Sequence, residues 1–97
     1  MRSAELLDCK SLKPGSLIDV ETMSRHYRIE CLGGSTIRIS GHPQFCPTPV
    51  VAQLQGSVTG EGTLEEGMIE CGMRLAFVIG EDFPLTTSRV LNFQLEG

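Results

Sequence analysis

Residues 68–79 read MIECGMRLAFVI, the longest uninterrupted strand-like run in the chain. Side chains of an extended chain alternate between two faces. Ile69, Cys71, Met73, Leu75, Phe77 and Ile79 then share one side, and Met68, Glu70, Gly72, Arg74, Ala76 and Val78 the other. One face is apolar and the other mixed, which is the pattern of a half-buried strand. A helix would spread the apolar groups all round and hold Gly72 in its interior, at about 1 kcal/mol relative to alanine. The run is therefore expected to be the central strand of an all-β domain.

Its neighbours fit that frame. Downstream, Gly80 to Pro84 turns the chain, and residues 86–95 return as a last strand with Leu91, Phe93 and Leu95 facing in. Upstream, residues 56–67 hold four glycines and three glutamates, a loop with room for a short hairpin around residues 57–64. Before it, residues 50–55 form a strand with Val50, Ala52 and Leu54 on one face. Near the start, residues 4–7 suit a helical turn or residues 6–9 an edge strand, and Lys13-Pro14-Gly15 is a turn.

Residues 17–22, 27–32 and 36–40 read as a three-stranded meander. Apolar residues must stay on one face, and a one-residue slip reverses the faces. A four-residue connection, residues 23–26, would pair Thr22 with Tyr27, Val20 with Ile29 and Ile18 with Cys31, leaving Glu21 opposite Arg28. A three-residue loop, Gly33-Gly34-Ser35 with a left-handed glycine, would pair Ile37 with Cys31, Ile39 with Ile29 and Arg38 with Glu30. Short strands with Gly/Pro punctuation and little helix imply a small antiparallel barrel, closed or partly open, of about six strands. Closure removes edge strands, and residues 1–97 are too few to fill two full sheets, so a single barrel-like domain is expected.

Residues 41–49, GHPQFCPTP, are the most unusual stretch. Three prolines between Gly41 and Pro49 cannot sit in a central strand. They push His42, Cys46 and Thr48 toward extended geometry and make a stiff loop. Phe45 is expected to anchor that loop on the body of the domain.

Composition narrows the chemistry. A net charge of −4 argues against sequence-independent nucleic-acid binding. No Trp and one Tyr leave few stacking platforms for single strands. Residues 1–40 carry six cations against five carboxylates, and residues 41–97 carry only Arg74 and Arg89 against seven. The N-terminus lacks an apolar run for a signal peptide or membrane span, so a cytoplasmic protein with no membrane contact is expected. Cys9, Cys31, Cys46 and Cys71 would then stay reduced. Their spacing gives neither a redox C-x-x-C nor a zinc-ribbon pattern, so no metal and no cofactor is assigned.

Three functional readings follow. The first is a non-catalytic binding module whose contact surface is the 41–49 loop. It would meet a protein partner or a second copy of itself, because a rigid, partly apolar loop binds with little ordering cost. The second is an anion or cyclic-nucleotide sensor gripping its ligand with Arg25, Arg28 and Arg38, and Arg74 if it shares their face. Thr86-Thr87-Ser88-Arg89 is a hydroxyl-rich run that could cradle an anion or simply begin a strand. The third is a thiol or metal site at His42 and Cys46, which would need further ligands from His26 and the other cysteines. The three acidic side chains Glu61, Glu65 and Glu66 lack the spacing of a calcium loop.

A six-stranded barrel is similar in architecture to the bacterial cyclic-dinucleotide receptors of the PilZ type. Their Arg-x-x-x-Arg signature is not met by Arg25-His26-Tyr27-Arg28, and nothing matches their Asp/Asn-x-Ser-x-x-Gly motif. The likeness is therefore one of architecture alone.

Overall fold

The computed structural model describes residues 6–96. In chain order they form β1 (Leu6–Asp8), a 3-10 turn (Cys9–Ser11), β2 (Leu17–Thr22), β3 (His26–Gly33), β4 (Thr36–Ser40), β5 (Val50–Val58), β6 (Leu64–Glu66), β7 (Met68–Glu70), β8 (Arg74–Ile79) and β9 (Phe83–Glu96). The strand reading of residues 6–9 holds for Leu6–Asp8. The helical turn over residues 4–7 begins outside the described residues.

The strands run β4-β3-β2-β9-β8-β5, and a further β4–β5 pairing closes the ring through those six strands. β6 pairs along the end of β5, and β1 and β7 form a separate two-stranded ribbon. This is the expected partly open antiparallel barrel. Among the described residues, no helix is long and apolar enough to cross a membrane.

The period-two pattern fills the barrel. Ile18, Val20, Tyr27, Ile29, Cys31, Ile37, Ile39, Ala52, Leu54, Leu75, Phe77 and Val90 are buried together. The edge of one aromatic ring meets the face of the other at Tyr27 and Phe77, with centroids 6.2 Å apart at 73°. Cys9 and Ile69 join the same cluster from the 3-10 turn and β7.

The 68–79 run is not one strand. It breaks at residues 71–73, so Met68–Glu70 pairs with β1 while Arg74–Ile79 sits between β5 and β9. Gly72 has φ +87°, a conformation that suits glycine and turns the chain. Its N–H donates to the Val90 carbonyl at 2.8 Å, and Val90 N–H donates to the Met73 carbonyl at 2.8 Å, so the turn is tied to β9.

The first hairpin also departs from expectation. Val20 faces Tyr27 and Ile18 faces Ile29, two residues away from the expected register. A slip of two keeps each side chain on its own face, so the apolar face is still the buried one. Thr22 explains the slip. Its hydroxyl accepts N–H bonds from Arg25 at 2.9 Å and Ser24 at 3.3 Å, and both its N–H and its hydroxyl donate to the Arg25 carbonyl at 2.8 Å. Thr22 is thereby drawn into a side-chain-closed turn instead of pairing with Tyr27. Asp19 thus faces Arg28, and Glu21 faces His26.

The second hairpin forms the expected pairs, Ile29–Ile39, Glu30–Arg38 and Cys31–Ile37. A bulge before Gly33 and the tight turn at Gly34 and Ser35 replace a plain three-residue loop. The hairpin expected around residues 57–64 is present as β5–β6. The last strand is longer than expected and starts at Phe83. A bulge opposite Glu21 and Thr22 brings Val90 into the core, so Leu91 stays 53% exposed, and Leu95 near the strand end is 51% exposed.

Candidate functional site

The 41–49 loop connects β4 to β5, the pair that closes the ring. Gly41 N–H donates to the Cys46 carbonyl at 2.9 Å, and Cys46 N–H donates to the His42 carbonyl at 3.0 Å. Residues 42–46 thus form a tight loop of their own. Cys46 is fully buried and packs in the core, so Cys46 is the anchor. Phe45, expected in that role, is instead 37% exposed.

His42 holds the tip in shape. Its Nδ1 accepts N–H bonds from Gln44 at 3.1 Å and Phe45 at 3.3 Å. Its ring lies on that of Phe45 at 4.6 Å, and Phe45 meets Phe83 edge to face at 4.9 Å and 72°. Phe83, 43% exposed, opens β9 opposite Ile79. His42, Phe45 and Phe83 therefore form one contiguous aromatic group on the surface. By sequence Phe83 belongs to the turn Gly80 to Pro84, and no local signal in that stretch points to Phe45.

Desolvation, with a smaller repulsion from Arg25, lowers the His42 pKa below its ordinary 6.5. A lowered imidazole contributes its stability fully above 6.5 and loses it as pH falls through the lowered value. Protonated Nδ1 would donate rather than accept, so the Gln44 and Phe45 amides would lose their acceptor. Acidification is expected to open the loop tip. NMR titration should give the His42 ring a midpoint below 6.5, with the Phe45 amide following it; a midpoint at or above 6.5 would contradict this cause.

The other sequence-singled residues sit as follows. Arg28 bonds Asp19 at 3.5 Å and Glu96 at 3.1 Å, and Arg38 bonds Glu30 at 2.8 Å. Arg28 and Arg38 do come together, lining a shallow pocket of 70 Å³ with Glu30 and Ser40. Exposed pairs of this kind contribute roughly 0–1 kcal/mol each. Arg25 lies instead where its charge acts on His42 and Tyr27. Arg74 lines a different pocket, with Arg89.

The thiols are set inward. Cys9 and Cys31 bring their sulfurs to 3.1 Å, both 1% exposed. Burial, then the neighbouring Cys31, push the Cys9 thiol up to about 12. It therefore stays a protonated, apolar filler at neutral pH. Among the described residues, no three His, Cys, Asp or Glu side chains gather in a metal-holding group. Glu65 and Glu66 lie exposed on β6, and the carboxyl of nearby Glu70 is raised by burial and by the charge of Glu65.

Comparison with known protein families, with curated proteins and with solved structures found no match.

Proposed function

We propose that this chain is a non-catalytic interaction module that meets a protein partner, a second copy of itself included, through the aromatic end of the barrel. The observation that carries the reading is the contiguous surface group in which half-buried His42 joins exposed Phe45 and Phe83. Single exposed apolar residues are ordinary on a protein surface, but contiguous apolar patches mark contact sites. Aromatic side chains also dominate the energetic centres of interfaces. The loop root is fixed by buried Cys46 and its two backbone bonds, so little entropy is lost when a partner docks.

The non-catalytic reading rests on the same loop. His42 commits Nδ1 to the loop's own amides, and Cys46 is sealed from solvent. Neither is placed to serve as a base or a nucleophile for a bound substrate.

Alanine variants at Phe45 and Phe83 test the proposal. Self-association measured by sedimentation, and partners retained on an affinity column, should both be compared with the wild type. The expected result is an association that weakens at least tenfold in each variant, as for truncation of an interface centre. An association that both variants keep at wild-type strength would overturn the reading.

A further inference from the structure

β8 and β9 keep one register from Ile79–Phe83 to Ala76–Thr86, then slip by one residue. Without the slip Ser88 would stand opposite Arg74. The bulge puts Arg89 there instead. Side-chain bonds hold it in place. The Thr87 hydroxyl accepts Leu75 N–H at 3.1 Å and donates to the Ser88 carbonyl at 2.6 Å. The Ser88 hydroxyl accepts Ser24 N–H at 3.1 Å. The hydroxyls of the Thr-Ser run thus shape the bulge, and the bulge re-aims Arg89.

The outcome is two guanidinium groups directly opposite each other on neighbouring strands, a placement that destabilises a sheet when the charges stand alone. Elsewhere this chain neutralises its sheet arginines, giving Arg28 two carboxylates and Arg38 one. Among the described residues, no carboxylate is bonded to Arg74 or Arg89, although residues 41–97 carry seven. Together the two arginines line a concave pocket of 170 Å³ with Val58, Thr59, Gly60 and Gly72.

We infer that Arg74 and Arg89 form a binding site for a tetrahedral phosphate-class oxyanion, free or as the terminal group of a phosphomonoester. An anion between the two forks removes the repulsion that the bulge creates. A planar carboxylate offers two oxygens, which one guanidinium saturates. A tetrahedral phosphate offers a separate edge to each. The pocket is smaller than the roughly 300–1,000 Å³ of sites that swallow a whole drug-sized ligand, so it takes one small group. It lies at the far end of the β8–β9 ladder from Phe83, about 17 Å along the strand, so it can be scored apart from the aromatic end.

The test is an NMR titration with inorganic phosphate and, separately, with phenyl phosphate. The reporters are the Nε–H groups of Arg74 and Arg89 and the amides of Gly60 and Gly72. Saturable shifts at these four residues are expected. Arg74→Gln and Arg89→Gln should each weaken binding about tenfold or more, and Arg28→Gln should leave it unchanged. Binding of phosphate alone marks a free-anion site, and tighter binding of phenyl phosphate marks a group carried on a larger molecule. Thermal unfolding without phosphate should be no lower for Arg89→Gln than for wild type, because one of two repelling charges is gone. No saturable shift with either compound, or shifts that persist in both glutamine variants, would overturn the site.

Discussion

Replacing Phe77 with alanine is expected to destabilise the protein by about 3–5 kcal/mol. Phe77 is fully buried in β8, opposite Leu54 of β5 and Leu85 of β9, with its ring against Tyr27. It therefore touches strands on several sides of the ring, and close-packed neighbours cannot collapse fully into the space it leaves. Domains of this size are stable by about 5–15 kcal/mol, so the loss would be a large fraction of the whole. Leu91→Ala is the matched comparison, because Leu91 is 53% exposed on β9 and its truncation should cost no more than about 0.5 kcal/mol. Urea unfolding of the two variants checks this. Equal losses would mean that the barrel interior is not where Phe77 lies.

Gly41→Ala should be the other severe change, and it acts on the functional end. Gly41 has φ +133°, and an added Cβ would stand 2.3 Å from the His26 carbonyl oxygen and 3.0 Å from the Tyr27 Cα. Backbone strain of this kind costs about 1–3 kcal/mol before any clash is counted. The obstructing atoms are backbone of β3, so relief requires β3 and the loop root to part. Loss of stability is therefore expected together with displaced Phe45 ring signals. Gly60→Ala is the contrast, since a Cβ there meets nothing within 4 Å. A Gly41→Ala protein as stable as Gly60→Ala, with Phe45 unmoved, would contradict the close approach of loop and β3.

The period-two pattern makes the barrel's inner face legible in the sequence itself. Tyr27, Ile29, Cys31, Ile37 and Ile39 all point where alternation puts them, because burial selects a face. The first hairpin register was not legible, since a slip of two leaves that pattern unchanged. The break at Gly72 was hidden for a similar reason: Cys71 and Met73 continue the alternation on either side of it. The β8–β9 bulge was invisible because it depends on Thr87 and Ser88 bonding to other parts of the chain. Proline density placed His42, Phe45 and Cys46 outside the strands, where the structure has a hydrogen-bonded loop between β4 and β5. It said nothing of Phe83, which joins them only through tertiary folding, and the reading chose bulky Phe45 as the anchor where the smaller Cys46 turns inward.

The most direct measurement is photo-crosslinking, with a photoreactive side chain placed in turn at Phe83, Val51 and Leu91. The three natural residues are 43%, 51% and 53% exposed, so solvent access alone would not favour Phe83. The expected result is an adduct with the partner, or with a second copy of the chain, from position 83 and from neither of the others. Adducts from Val51 or Leu91 with none from Phe83 would contradict the aromatic end as the contact surface.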